Sequence, residues 1–168
     1  MSEDWSKLRD VDPLADGHAR VDFAIPLALF PRIAPALARK EGKATGSVQF
    51  AREAGVPIAE VSLEATLALA CQRCFEALEW PVRAQERVAL VAGSAEADRV
   101  PAELETILAP DHRISLRDLV EEELLLALPL VALHPQPACG AATAAAGPSA
   151  PAEDRQRPFA GLSELLKR

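Results

Sequence analysis

Tyrosine is absent from this chain, and only 2 Trp and 5 Phe are present among its 168 residues. The apolar share is still 49%, so a core is possible, but Ala and Leu must supply most of its packing volume, with Val and Ile helping. Basic residues are also scarce. The 18 Lys and Arg face 25 Asp and Glu, and the formal net charge is −7. Proteins that grip nucleic acid through its phosphates carry a basic face. The only basic clusters here are as short as Arg39-Lys40 and Lys167-Arg168, which disfavours tight RNA binding by the isolated chain.

Long apolar runs are missing as well. The richest stretch, Leu124 to Leu133, is interrupted by Pro129 and falls short of the ~20 residues a membrane helix needs. The N-terminal MSEDWSKLRD is polar and acidic, unlike a signal peptide, so a cytosolic protein is expected. In that compartment 3 Cys do not build structural disulfides, and their roles reduce to metal binding, redox chemistry or burial. The 8 Gly are scattered and form no phosphate-cradling loop. No serine sits in a nucleophile motif. His18 and His112 lie in polar loops without an identifiable partner.

Periodicity supplies the elements. Residues 1–19 mix charge with Pro and Gly and read as a loose lead-in. Val21, Phe23 and Ile25 alternate as in a strand leading into a turn. Pro31 to Lys40 reads as a short helix, with Pro35 setting where its first turn can begin. Gly42 and Gly46 read as punctuation before a short strand, Ser47 to Arg52. A long strand follows over Ile58 to Ala70, with Val61, Leu63, Ala65, Leu67 and Leu69 on one face. Trp80 to Val91 alternates again, which places Cys71-Gln72-Arg73-Cys74 at the shoulder of a hairpin. Residues 93–113 are polar and read as a loop or short connection.

Ser115 with Asp118 has the form of a helix start. Leu116, Leu119, Val120, Leu124, Ala127 and Leu128 then share one helical face, and Pro129 stops the helix near Ala127. Glu121, Glu122 and Glu123 read as a solvated flank that complements the helix dipole rather than as paired catalytic carboxylates.

The expected fold is therefore α+β: an antiparallel meander with a packed amphipathic helix, over a core of residues 20–139. Residues 140–157, rich in Ala, Gly and Pro, read as a disordered linker. Residues 158–168 read as a short amphipathic tail carrying Phe159, Leu162, Leu165 and Leu166 on one side.

Cysteine spacing is the sharpest chemical signal. Cys71 and Cys74 form a CxxC pair, and His134 and Cys139 form H-x4-C beyond the helix. Together they offer the four soft or borderline ligands that tetrahedral zinc favours, although 59 residues separate Cys74 from His134. Ordinary buried cysteines and a surface histidine would have the same spacing. A thiol–disulfide motif would need the CxxC at a helix N-terminus, and the residues after Cys74 lead into a strand.

Four stretches, in order, resemble the YceD family, named for large ribosomal RNA subunit accumulation. They are LACQRC at Leu69–Cys74, ISLRDLVEEELLLALPL at Ile114–Leu130, LHPQPAC at Leu133–Cys139 and PFAGLSELLK at Pro158–Lys167. The resemblance covers about residues 20–168. It implies a bacterial or plastid cytosolic protein, without an enzymatic activity, that supports synthesis, processing or stability of the large-subunit (23S) rRNA. Relatives are encoded beside a zinc-ribbon protein of the large subunit, and many carry Cys at the position of His134, an exchange that keeps ligand capacity. The resemblance thus strengthens a structural zinc held by Cys71, Cys74, His134 and Cys139. The Ala/Pro-rich stretch after Cys139 departs from the family pattern.

On this reading the expected partner is a large-subunit or pre-ribosomal component. A protein suits the acidic chain better than bare RNA, and neither a membrane nor a small-molecule substrate is expected. Arg73, in the CxxC turn, and the tail residues Phe159, Leu162, Leu165 and Leu166 are the candidate contacts. The competing reading is a zinc- or thiol-dependent enzyme using the CxxC site.

Overall fold

The computed structural model describes residues 4–135 and 139. The chain divides into two compact units, residues 1–133 and 134–168; the linker and tail expected over 140–157 and 158–168 lie outside the described residues. The first unit contains, in chain order, β1 (Arg9–Asp10), α1 (Val11–Asp16), β2 (Arg20–Pro26), β3 (Leu37–Arg39), β4 (Lys43–Glu53), β5 (Val56–Ala70) and β6 (Ala77–Val91). After these come α2 (Ser94–Ala97), β7 (Glu105–Leu108), β8 (Arg113–Ile114) and α3 (Leu116–Leu126). The class is α+β, as expected.

The main sheet has six strands in the order β2-β4-β5-β6-β7, with β3 pairing β5 beyond the reach of β4. The β2–β4, β4–β5 and β5–β6 pairs are antiparallel, and β5–β6 is in register from Ile58↔Ala89 to Ala70↔Ala77. The meander is not purely antiparallel, because β7 pairs β6 in parallel over Val88–Val91. Strand β7 lies in the stretch expected to be loop. Its four residues are too few to show alternation, and only the neighbouring strand identifies them.

Alternation along each strand divides the sheet into two faces. Phe23, Ile25, Val48, Phe50, Val61, Leu63, Leu67, Leu69, Val82, Val88 and Leu90 are buried on one of them. Helix α3 covers that face with Leu116, Leu119, Val120 and Leu124, all buried, joined by Leu27, Phe30 and Ile33. Leu128, expected in this set, is only half-buried, since the helix has already ended. The other face exposes Gln49, Ser62, Glu64, Thr66, Arg83, Gln85 and Arg87. Among the described residues, a small cluster forms only at one end of that second face, where Ile58, Ala89 and Val91 pack against Ala97, Val100 and Leu104.

Helix α3 starts as its sequence dictates: Ser115 Oγ accepts the Asp118 N–H at 3.1 Å. Three other expectations are corrected. Residues 4–19 are not loose; α1 buries Val11 and Ala15, and Arg52 from β4 holds both Asp12 and Asp16, at 2.6 and 2.5 Å. The expected helix over Pro31–Lys40 is a 3₁₀ turn at Ala34–Ala36 followed by β3. Pro35 removes a donor, and Leu37 finds a pairing partner on β5. Gly46 lies inside β4 rather than between elements. A Cβ there would sit 1.9 Å from the Ser62 carbonyl oxygen of β5, so the strands' close approach requires glycine.

Candidate metal centre

Strands β5 and β6 end their pairing at Ala70↔Ala77, and the six residues between them close the turn. The Cys71 N–H donates to the Glu76 carbonyl at 2.9 Å, and the Phe75 N–H donates to the Cys71 carbonyl at 2.8 Å. Phe75 adopts a left-handed conformation, φ 63°, which bends the chain sharply and leaves its ring 82% exposed. The Gln72 N–H donates to the Ala132 carbonyl at 2.9 Å, so the turn is tied to the segment following α3. Cys71 is fully buried, Cys74 and Arg73 are half-buried, and Cys139 is buried.

One ligand atom from each of Cys71, Cys74, His134 and Cys139 can be chosen so that all four lie within 4.8 Å of one another. Among the described residues this is the one group of three or more His, Cys, Asp or Glu arranged to hold a metal ion. Metal–sulfur bonds of about 2.3 Å in a tetrahedron set sulfur–sulfur edges of about 3.8 Å. The 4.8 Å bound on the four ligand atoms is about 1 Å wider than that edge. Three thiols and an imidazole suit a borderline-soft cation and are a poor set for calcium or magnesium, which take oxygen.

The CxxC stands between two strands and not at a helix start, so the thiolate-stabilising field of a helix N-terminus is missing from the turn. Arg73 sits within the turn as expected. Phe159, Leu162, Leu165 and Leu166 lie outside the described residues.

The acidic run of α3 departs most from its sequence reading. Glu121 and Glu123 are buried, only 1% and 2% exposed, whereas local rules place the run on a solvated flank. Glu121 Oε1 accepts the N–H groups of Arg32 and Ile33 at 2.6 and 3.2 Å, and Glu122 pairs with the Arg32 guanidinium. These contacts clamp the 31–36 turn onto the helix. Glu123 is pushed up from the usual carboxylate range, first by burial and then by the charges of Glu86, Glu105 and Glu122. His112, unpartnered on a sequence reading, stands 3.2 Å from Glu96 and 3.8 Å from Asp12. Local spacing cannot disclose a contact with a residue as distant along the chain as Asp12.

Compared with protein families, residues 59–166 match the family described as "Large ribosomal RNA subunit accumulation protein YceD". The match runs from β5 through the turn and α3, and takes in all four cluster residues. Neither the curated proteins nor the solved structures contain a match. Among the described residues no helix is long and apolar enough to cross a membrane.

Proposed function

The chain belongs to the YceD family of large ribosomal RNA subunit accumulation proteins, and from that membership we propose a non-enzymatic accessory factor in large-subunit biogenesis. It acts in the cytoplasm by binding a ribosomal or pre-ribosomal component, and so supports synthesis, processing or stability of 23S rRNA. Its four-residue cluster holds a structural zinc ion. The observation that carries this reading is the convergence of Cys71 and Cys74, from the β5–β6 turn, with His134 and Cys139, which follow 59 residues or more later in the chain.

Four protein ligands close the zinc shell, whereas a hydrolytic site keeps a position for water. Zinc bound here would staple the β5–β6 turn to residues 134–139, and its contribution would be to stability. The competing reading, a zinc- or thiol-dependent enzyme, requires an open shell or an activated thiolate.

A linker over 140–157 and a tail over 158–168 complete the proposal. Arg73 of the turn and Phe159, Leu162, Leu165 and Leu166 of the tail contact the partner. Elemental analysis of purified protein tests the metal: one zinc per chain is expected, falling to near zero in Cys71→Ser. Cobalt substitution should give the absorption of a tetrahedral thiolate site, and a five- or six-coordinate spectrum would support the enzyme. Affinity purification from cells tests the partner. A large-subunit protein or precursor should co-purify, and truncation after Arg157 should lose it without lowering the melting temperature. Recovery of no ribosomal component by either form would overturn the assignment.

A further inference from the structure

Strand β6 is paired by β5 from Ala77 to Ala89, but on its other side β7 reaches only Val88–Val91. Residues 78–87 thus present an outer edge with no strand partner among the described residues. Such an edge exposes unpaired N–H and C=O groups and invites another strand. Pro81 lies on this stretch; a proline is tolerated there because an edge strand does not need every donor. The stretch from Val82 to Arg87 carries no such block.

An open groove of about 390 Å³ runs beside it, lined by Arg83 to Glu86 of β6, Glu105 of β7, and Glu123, Leu126 and Ala127 of α3 and its end. Its chemistry is lopsided. Glu86, Glu105 and Glu123 face it against one cation, Arg83, which is directed to Glu64 at 3.4 Å. Glu86 and Glu105 are exposed, but Glu123 is 2% exposed and its Oε1 has no hydrogen-bond partner.

A carboxylate removed from water without a donor is costly to a fold. Fellow carboxylates around it add to that cost, and a cation delivered into the groove would relieve both. These three carboxylates are not among the residues gathered closely enough to hold a bare metal ion, so the cation that fits is a larger one on a flexible stem. Leu126, 69% exposed, adds an apolar wall suited to the intervening side chains of an extended chain.

We propose that this groove is a docking site for an extended, basic segment of a partner protein, which pairs with the β6 edge and seats a Lys or Arg among Glu86, Glu105 and Glu123. The main-chain ladder provides the attachment and the carboxylates select the sequence, the division of labour usual in strand addition. The site is separate from the cysteine cluster and does not depend on the ribosomal assignment.

The test uses the full chain and a fluorescein-labelled heptapeptide of alternating Arg and Thr, read by anisotropy. Saturable binding is expected, weakening with salt and about tenfold weaker for the Glu86→Gln/Glu105→Gln double variant, whose substituted positions are exposed. Asp22→Asn/Glu41→Gln, exposed acids that do not line the groove, should leave it unchanged. A peptide with alternate amides N-methylated, unable to form the ladder, should bind as weakly as the double variant does. Equal losses from both pairs of substitutions would mean diffuse charge attraction and overturn the site. Indifference to N-methylation would overturn strand pairing. A single-stranded RNA oligonucleotide that binds wild type and is lost in the Glu86/Glu105 variant would also overturn it, by assigning the groove to nucleic acid.

Discussion

Replacing Glu121 with alanine removes an acceptor that two backbone amides share. The carboxylate is buried, and it takes the N–H groups of Arg32 and Ile33 at 2.6 and 3.2 Å. Hydrogen bonds to a charged group contribute roughly 1.5–3 kcal/mol each, and a buried donor left without a partner forfeits that and its solvation. Two such bonds sum to roughly 3–6 kcal/mol, trimmed because the variant no longer buries a charge. The expected loss is about 3–5 kcal/mol, a fall in melting temperature of roughly 10–20 °C for a domain of this size. Glu121→Gln retains a neutral carbonyl acceptor and should cost less than half as much. Chemical denaturation gives the free energies, and amide hydrogen exchange gives the location: the Arg32 and Ile33 amides should lose protection in the alanine variant and keep most of it in the glutamine variant. A loss below about 1 kcal/mol for alanine, or equal losses for both substitutions, would refute the clamp.

Three further outcomes are expected. Because Glu123 is raised by burial and by Glu86, Glu105 and Glu122, the folded state holds its proton more tightly than the unfolded chain. Stability is therefore fully present below the carboxyl's ordinary value of 4.5 and declines as pH rises through the folded value. Glu123→Gln should match wild type near pH 4 and exceed it by about 1–3 kcal/mol at neutral pH, and a constant difference across urea titrations at each pH would contradict this. Gly46→Ala puts a Cβ 1.9 Å from the Ser62 carbonyl and should destabilise by more than about 3 kcal/mol or prevent folding; a folded variant of wild-type stability, judged by circular dichroism melting, would show that β4 can move away. Leu124→Ala, at a fully buried position, should cost about 2–5 kcal/mol in denaturant unfolding, and a loss under about 1 kcal/mol would place that side chain outside the core.

Elements whose pattern repeats within a few residues are legible in the sequence alone. The five alternate apolar positions from Val61 to Leu69 mark β5, because a half-buried strand needs nothing more than period two. Ser115 and Asp118 mark the start of α3, because a cap is a contact over three residues. The CxxC turn falls between two such strands, and its association with His134 and Cys139 is accessible because few residue types bind a soft metal.

Tertiary structure decides the rest wherever the deciding partner lies far along the chain. Strand β7 exists because β6 offers it an edge, and β3 replaces an expected helix because β5 extends past β4. Helix α1 forms where Val11 and Ala15 can be buried and Arg52 meets Asp12 and Asp16. Gly46 carries no local sign of lying within a strand, since what it accommodates is a carbonyl on the neighbouring one. The charges of Glu121 and Glu123 argue for solvent, and local rules have nothing to set against them. One carboxylate is buried because two amides from an 88- and 89-residue separation need an acceptor; the other lines a groove whose walls come from three separate elements. A polar side chain's environment is set by whichever donors and charges folding brings to it, and in this chain those come from across the whole described sequence.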